Sequence, residues 1–433
     1  MSEAASNPVG ERAHGEAWAR VATERALATG ALALVALHVV DDSFLQPEPG
    51  TSPADHVVSG LVPLTLIAGA AALYGRSRAG VRATLALLFG FFGVLAGTEA
   101  VYYTLNGGPS GDDFTGFLSI VGGFVLLGIG AVTLWRSRKS NGRIWWRYGR
   151  RLLIAASVLV LLAQVLFPTA IAYVVTHTAR AEVPTANLGA AHEDISFTTS
   201  DGLRLQGWFV PSRNGATVIA FPGRSGPQKQ TRMLVRNGYG VLLFDRRGEG
   251  ASEGDPNTFG WHGERDLYAA AAYLRSRPDV DPARIGGIGL SVGGEMLIRA
   301  AAGSSFFKAI VSEGASGQSL RDGLANGEEG FGELLADASI TLATALFTND
   351  LPPPSLESEV PNIAPSAVFF VYGENGQGGT ETKPNRGFYD AAREPKQIWE
   401  VPGGQHIAGI TTRPQEYERR VVGFLDDTLL DNR

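Results

Sequence analysis

Residues 289–294, Gly-Leu-Ser-Val-Gly-Gly, constrain the fold of this chain more than any other stretch. A short apolar run, residues 284–288, comes before them, and a helix-favouring run, residues 295–302, comes after them. A strand that turns sharply into a helix around Gly-x-Ser-x-Gly is a nucleophile elbow. Side chains at the glycines would collide with the tight turn, and strained backbone presents the serine hydroxyl at the top of a sheet. The pattern therefore predicts that Ser291 is a nucleophile.

The composition of the chain changes near residue 180. Residues 1–180 are rich in Ala, Leu, Val and Gly with long uncharged runs, whereas residues 181–433 resemble an ordinary soluble domain. The chain has no cysteine, which excludes disulfides, thiolate metal sites and a cysteine nucleophile. A formal net charge of -6 without a basic stripe argues against nucleic acid as a partner.

Five apolar segments follow a polar segment, residues 1–25, which we do not interpret as a signal peptide. They run over Ala26–Val40, Val57–Tyr74, Ala83–Leu105, Phe114–Trp135 and Leu152–Val175. The last three reach the roughly 20 residues that a membrane-spanning helix requires. Because the segments lack the amphipathic faces and polar caps of buried core helices, the sequence predicts an all-α, five-helix transmembrane domain over residues 26–175.

The charges of the loops predict the orientation of this domain. Basic residues lie between spans two and three and between spans four and five: Arg76, Arg78, Arg82, then Arg136, Arg138, Lys139, Arg143, Arg147, Arg150 and Arg151. The other loops carry carboxylates without Lys or Arg: Asp41, Asp42, Glu48, Asp55, Asp112 and Asp113. Since positive loops stay in the cytoplasm, five crossings place the residues from 176 onward outside the cytoplasmic membrane.

Several ionisable residues cluster near the predicted outer ends of spans one to three. They are His38, Asp41, Asp42, Asp55, His56 and Glu99. Ionisable groups at membrane depth are often functional, and histidines with carboxylates could bind a metal or carry protons. Exposure to water in the outer headgroup region explains most of these residues without a metal or proton site. Glu99 fits that explanation least well. We therefore assign no metal and no cofactor.

A polar linker, residues 176–191, leads into short apolar runs that alternate with helical stretches over residues 192–430. This alternation predicts an α/β fold with a doubly wound, mostly parallel, eight-stranded sheet. The predicted strands are Asp194–Thr198, Leu203–Val210, Thr217–Phe221, Val241–Phe244, Arg284–Gly289, Ala309–Ser312, Ala367–Tyr372 and Gln397–Val401, the first two forming a hairpin. The predicted helices are Gln228–Asn237, Glu264–Arg277, Val292–Ala302, Arg386–Ala392 and Pro414–Asp427.

Four motifs occur in a characteristic order. They are Phe-Pro-Gly-Arg-Ser-Gly at 221–226, Asp-Arg-Arg-Gly-Glu-Gly-Ala-Ser-Glu-Gly at 245–254, the elbow, and Pro-Gly-Gly-Gln-His at 402–406. Residues 190–430 thereby resemble the α/β-hydrolase superfamily, in its dienelactone-hydrolase and serine-aminopeptidase-like branches. The loop at 221–226 stands where that family has its oxyanion loop, but it lacks the usual histidine. The resemblance implies a Ser, acid, His triad in that order.

The base that activates Ser291 is predicted to be His406, in a glycine-rich loop after the last strand. The other histidines of this half are His177 and His192, which precede the sheet, and His262, which opens a helix before the elbow. An imidazole after the last strand can lie over the carboxyl edge of the sheet, which favours His406.

The resemblance places the acid after the seventh strand, in residues 373–384, where no aspartate occurs. Glu381, just before a proline and a helix, is our first choice. Glu374, at the end of the strand, is the second. Glu313, after the sixth strand, is the third because some lipase-like members use that position.

The backbone N–H groups of Val292 and Arg224 are predicted to stabilise the oxyanion. An insertion over residues 315–364 is predicted to be a lid, with an acidic run (Glu328–Asp337), an apolar run (Ile340–Phe347) and three prolines. Such a lid could shape an acyl pocket or rest on the bilayer.

These features predict a membrane-anchored serine hydrolase that cleaves small-molecule or lipid-derived carboxylic esters through an acyl-enzyme formed by Ser291, Glu381 and His406. Amide or peptide hydrolysis and acyl transfer to an alcohol are alternatives on the same fold. A catalytically idle binding or sensor module is an alternative of another class, against which the complete Ser, Glu and His set argues. The sequence does not determine the oligomeric state.

Overall fold

The structure is a computed structural model that describes two compact units. It describes residues 8–47, 53, 56–107, 113–136, 149–150, 153–154, 157–158, 160–177, 180, 182–256, 259–317 and 331–430. The first unit ends at Leu159 and the second begins at Val160.

The described part of the first unit contains four long helices. They are α1 (Pro8–Val40, extended by a π-helical turn over Asp41–Leu45), α2 (Val57–Tyr74), α3 (Ala79–Gly107) and α4 (Asp113–Arg136). Helices α3 and α4 approach closely, since a Cβ on Gly97 would lie 2.4 Å from the carbonyl oxygen of Gly116. Small residues permit such close helix pairs in membranes. Three stretches are long and apolar enough to cross a membrane: Val21–Leu45, Ala79–Thr98 and Phe114–Arg136.

The other two predicted spans give shorter apolar helices, Gly60–Tyr74 and Ala163–Thr176, so the count of five is not confirmed. The fifth predicted span is divided between the units, because the second unit includes residues from Val160 onward. In that unit a π-helical turn (Leu162–Leu166) leads into α5 (Phe167–Thr176). Tyr173 of α5 packs edge-to-face on Phe347 of the insertion, with ring centroids 5.4 Å apart.

The second unit is built on one eight-stranded sheet. Its strands are β1 (Glu193–Thr198), β2 (Arg204–Val210), β3 (Thr217–Phe221), β4 (Gly240–Phe244), β5 (Ile285–Leu290), β6 (Ala309–Glu313), β7 (Ala367–Gly373) and β8 (Lys396–Val401). They are ordered β1-β2-β4-β3-β5-β6-β7-β8. Strand β2 is antiparallel to both of its neighbours, and the remaining pairs are parallel. This is the predicted doubly wound α/β-hydrolase fold, including the β1–β2 hairpin.

Further α-helices of the described second unit follow α5 in the chain, and most of them pack on the two faces of the sheet. They are α6 (Gln228–Arg236), α7 (Glu264–Ser276), α8 (Val292–Gly303), α9 (Phe331–Thr348), α10 (Leu356–Glu359), α11 (Thr382–Ala391), α12 (Gly409–Thr412) and α13 (Pro414–Leu425). Successive residues of a strand point to opposite faces. In β3, Ile219 accordingly packs with the side of α7, α8 and α11, whereas Val218 and Ala220 pack with α6 and α13.

Helix α11 begins four residues earlier than the predicted Arg386, because Pro384 is tolerated in the first turn of a helix. Of the predicted lid, residues 315–317 and 331–364 are described, and the start of its acidic run lies outside the described residues. The segment after α9 is fastened to the rest of the unit. Its Pro354 carbonyl accepts a 2.7 Å hydrogen bond from Arg299, and its Leu351 carbonyl lies 3.1 Å from His262 Nε2.

Candidate active site

Ser291 lies at the turn between β5 and α8, with a positive φ of 52°. Its N–H donates to the carbonyl of Glu313 at 2.8 Å, which fastens the turn to the end of β6. A Cβ on Gly289 would lie 2.3 Å from the carbonyl oxygen of Gly293, and a Cβ on Gly293 would lie 2.4 Å from Cδ of Pro222. Both glycines are therefore required by close approach of the backbone, as the elbow pattern predicts.

The imidazole of His406 is next to this serine. Its Nε2 lies 2.9 Å from Ser291 Oγ, in the loop between β8 and α12. The other histidines of this unit have different neighbours: His177 stacks on Tyr173, His192 lies 4.0 Å from Asp194, and His262 lies 3.5 Å from Glu264. The structure thus brings together the serine and the histidine that the sequence selected.

Glu381 binds the far side of the same imidazole. Its Oε1 forms a short hydrogen bond with His406 Nδ1, and its Oε2 accepts a 3.2 Å hydrogen bond from the N–H of Gly373. The side chain is fully buried, and a Cβ on Gly376 would lie 2.1 Å from its carboxylate. Because a carboxylate only accepts, it favours the proton on Nδ1, which leaves Nε2 to accept from the serine hydroxyl.

The two other candidate acids bind different partners. Glu374 accepts from the N–H of Gly403 at 2.7 Å, at the surface. Glu313 accepts from the N–H of Gly409 at 2.9 Å and from the Tyr417 hydroxyl at 2.6 Å. Burial raises the pKa of Glu313. Glu313 thus fastens the start of α12 beside the His406 loop, a contact between distant residues that sequence reasoning missed.

The predicted oxyanion donors differ in their geometry. Val292 is the first residue of α8, where backbone N–H groups have no acceptor within the helix. The N–H of Arg224 instead donates to Asp245 Oδ1 at 2.8 Å, while its guanidinium binds Asp245 Oδ2 at 2.6 Å. The prediction that the N–H of Arg224 stabilises the oxyanion is therefore wrong, because this N–H already donates to a buried carboxylate. The Arg224 guanidinium also lies 5.0 Å from the ring of Trp208.

The neighbouring arginines support the loop after β4. Arg247 binds the buried carboxylate of Asp266 through its backbone N–H and its guanidinium, at 2.7–2.9 Å. Burial raises the pKa of Asp266, and Arg247 opposes this shift. Arg246 binds Glu249 at 2.8 Å. Each guanidinium is thus paired with a carboxylate, in a supporting role.

Two members of the histidine and carboxylate cluster of the first unit, His38 and Asp41, join a small hydrogen-bonded network. Thr115 donates to Asp41 at 2.7 Å and lies 3.3 Å from His38 Nδ1. Asp55 and the side chain of Glu99 lie outside the described residues. Within the described part of the chain, no three side chains of the metal-binding types come together.

A family model described as X-Pro dipeptidyl-peptidase (S15 family) matches residues 171–354. The match includes the elbow and ends before Glu381 and His406. The uncharacterized protein YfhR of Escherichia coli K12 is 27% identical over 254 residues, which cover 54% of this chain and 80% of the relative. The polyketide transferase grgF of Penicillium is 35% identical over 117 residues, 25% of this chain and 40% of the relative.

Solved structures are also similar to this chain. An esterase of Pyrococcus furiosus aligns with a TM-score of 0.49 and 24% identity, over 59% of this chain and 98% of that one.

Proposed function

Since residues 192–430 of this chain have the fold of α/β hydrolases, we propose that the protein is a serine hydrolase that cleaves carboxylic esters through an acyl-enzyme. One observation carries the proposal. The imidazole of His406 has Ser291 Oγ at 2.9 Å on one nitrogen and the buried carboxylate of Glu381 on the other. A neutral hydroxyl is a poor nucleophile at pH 7, and this arrangement supplies the base that it needs.

In the first half of the reaction, Ser291 Oγ attacks the carbonyl carbon of the ester and its proton moves to His406 Nε2. Glu381 stabilises the resulting imidazolium through Nδ1. The tetrahedral intermediate collapses when its bond to the leaving alcohol breaks. His406 returns the proton to that alcohol, which leaves the acyl group on Ser291.

In the second half, water replaces the alcohol. His406 Nε2 takes a proton from water while the water oxygen attacks the acyl carbon, and Ser291 regains a proton as the acid is released. The N–H of Val292 is the donor that we assign to the oxyanion in both halves. Losing one such donor typically costs about 10²–10³ in rate.

Hydrolysis of an amide bond is the second candidate. The match to a family described as X-Pro dipeptidyl-peptidase favours it, although that match covers residues 171–354 only. The partial likeness to a polyketide transferase likewise keeps acyl transfer to an alcohol as a third. Comparing rates on matched para-nitrophenyl esters and para-nitroanilides, with and without an added alcohol, separates the three by their products.

We further propose that the protein is a multi-pass protein of the cytoplasmic membrane, with its N-terminus inside and its hydrolase unit outside. Three apolar helices support insertion in a membrane. The arginines at 76, 78 and 82 favour a cytoplasmic loop between the second and third apolar segments, and five crossings would then leave the hydrolase unit outside. Limited proteolysis of intact spheroplasts should cut the hydrolase unit, whereas a cytoplasmic control protein should survive. Protection of the hydrolase unit until lysis would contradict the orientation.

Fluorophosphonate labelling of the full-length protein tests the enzyme proposal. We expect strong labelling of the wild type, none of Ser291→Ala, and much weaker labelling of His406→Ala. His192→Ala is the matched control, since that histidine is not near Ser291 and should label like the wild type. A folded wild-type protein that does not label would overturn the proposal and favour a binding or sensor module.

A further inference from the structure

A cavity of about 560 Å³ lies next to the candidate active site. Leu290, the residue before the nucleophile, and Ile407, the residue after the base, form part of its wall. Ser225, in the loop that follows β3, forms another part. The cavity is thus lined by the direct chain neighbours of Ser291 and His406, about 3.8 Å from them along the backbone.

Another part of the lining carries positive charge. Lys229 and Arg232, both on α6, line the cavity, and none of the described residues that line it is Asp or Glu. Arg232 uses one nitrogen to hold the carbonyl of Asn187 at 2.7 Å, which fixes the guanidinium at the wall and leaves its other N–H donors for a ligand. Two cations without a carboxylate between them favour an anion in the cavity.

The remaining wall is partly apolar. Ile407 and Ile410, from the loop and helix after β8, face the cavity together with Leu290. Short hydrocarbon chains bury favourably against such side chains, at about 25 cal/mol for each Å² of apolar surface. The cavity thus combines an apolar stretch beside the reacting serine with cations farther along α6.

We infer that the substrate class of this enzyme is an ester with a short aliphatic chain that ends in an anionic group, a carboxylate or a phosphonate-like group. The inference rests on the proposed function. The ester carbonyl lies at Ser291, the aliphatic chain of the ester passes along Leu290 and Ile407, and its anionic end binds Lys229 and Arg232. These two cations are specificity-determining residues, and they take no part in the proton transfers.

Three para-nitrophenyl esters with the same three methylene groups test the inference: the pentanoate, the hemiester of glutarate and the ester of phosphonobutyrate. They end in a methyl group, a carboxylate and a phosphonate. We measure kcat/KM of the full-length protein for each and express it relative to the pentanoate. The wild type should prefer at least one anionic ester, and whether the carboxylate or the phosphonate is preferred identifies the anionic group.

Lys229→Gln and Arg232→Gln should each lower this preference by about fivefold, as for a partly screened ion pair, and the double variant should lower it further. High salt should reduce the preference of the wild type because it screens exposed charges. Lys308→Gln is the matched control. It removes the same charge at an exposed position just before β6, at the amino end of that strand, and should leave the preference unchanged.

Failure of this inference and failure of the proposed function give different results. If the protein labels with fluorophosphonate and hydrolyses the pentanoate at least as well as both anionic esters, only the inference is overturned. Only the inference is overturned, too, if the wild type prefers an anionic ester and the double variant keeps this preference. Thermal unfolding must show that the double variant is folded. If the protein neither labels nor hydrolyses any of the esters, the proposed function is overturned together with the inference.

Discussion

His406 Nε2 lies 2.9 Å from Ser291 Oγ, although 115 positions separate the two residues in the chain. The contact exists because β5 and β8 are parallel members of one sheet, so their carboxyl ends meet at the same edge. The elbow after β5 raises the serine above that edge, and the loop after β8 lays the imidazole over it. In α/β folds, ligands bind at this edge.

Glu381→Gln should lower kcat by on the order of 10³–10⁴ while leaving KM little changed, because an amide neither stabilises the imidazolium nor favours the required tautomer. Glu374→Gln is the control, since its carboxylate binds Gly403 at the surface. Ester hydrolysis at saturating substrate measures the effect. A large loss in Glu374→Gln with an active Glu381→Gln would exchange the two assignments.

Glu313→Ala should destabilise the hydrolase unit by about 1–3 kcal/mol, because the buried N–H of Gly409 and hydroxyl of Tyr417 lose their acceptor. Glu313→Gln keeps an acceptor oxygen and should be milder, in both stability and activity. Urea unfolding of the two variants checks this order. If Glu313→Gln were folded and as inactive as Glu381→Gln, Glu313 would be the acid.

Gly293→Ala should abolish most fluorophosphonate labelling, because the new methyl group would lie 2.4 Å from Pro222 and push the elbow away from the loop after β3. Gly423→Ala, in α13, is the control. A Cβ there meets nothing within 4 Å, so this change should stabilise the helix by up to about 1 kcal/mol. Normal labelling of Gly293→Ala would mean that the elbow tolerates a side chain.

Arg247→Met should cost about 3 kcal/mol of unfolding free energy, because it leaves the buried carboxylate of Asp266 without its partner. Adding Asp266→Asn should recover part of the loss, since the neutral amide needs no counter-charge. Arg204→Met removes an exposed ion pair with Glu253 and should cost less than about 1 kcal/mol. Equal losses in the two single variants would contradict the supporting role of Arg247.

His262→Asn should reduce thermal stability more at pH 6 than at pH 9. A hydrogen bond with Glu264 raises the pKa of His262 above 6.5, against the opposing effect of burial. A raised folded-state pKa gives stability that is present below the unfolded pKa and is lost as the pH rises through the folded one. Asparagine tolerates the positive φ of 55° at this position. The same loss at both pH values would show that the imidazolium contributes nothing.

Much of the hydrolase unit could be predicted from local patterns. Buried parallel strands are short apolar runs, and all eight were located to within about two residues. The elbow follows from backbone sterics, since Gly289 and Gly293 have no room for a side chain. His406 follows from its place after the last strand. The strands and the elbow need only neighbouring residues, whereas His406 needs the order of the strands along the chain.

Local patterns did not decide between several residues of one type that could play the same role. Glu313, Glu374 and Glu381 all lie near strand ends, and only the folded chain brings Glu381 to His406. The sequence favoured the N–H of Arg224 as an oxyanion donor. In the structure this N–H donates to the side chain of Asp245, 21 positions away in the chain. Such distances depend on how separate strands pair, and no local pattern encodes them.

The fifth predicted span, Leu152–Val175, illustrates the same limit. Its composition predicted a membrane span, because hydropathy measures only the preference for leaving water. It does not distinguish a lipid partner from a protein partner, and in the structure Tyr173 of this helix packs on Phe347. The sequence by itself thus determined the strands and the elbow, which backbone sterics and local hydrophobicity specify, and the histidine, which its place after the last strand indicates. Only the tertiary structure decided which carboxylate and which N–H bind which partner, because those contacts join residues far apart in the chain.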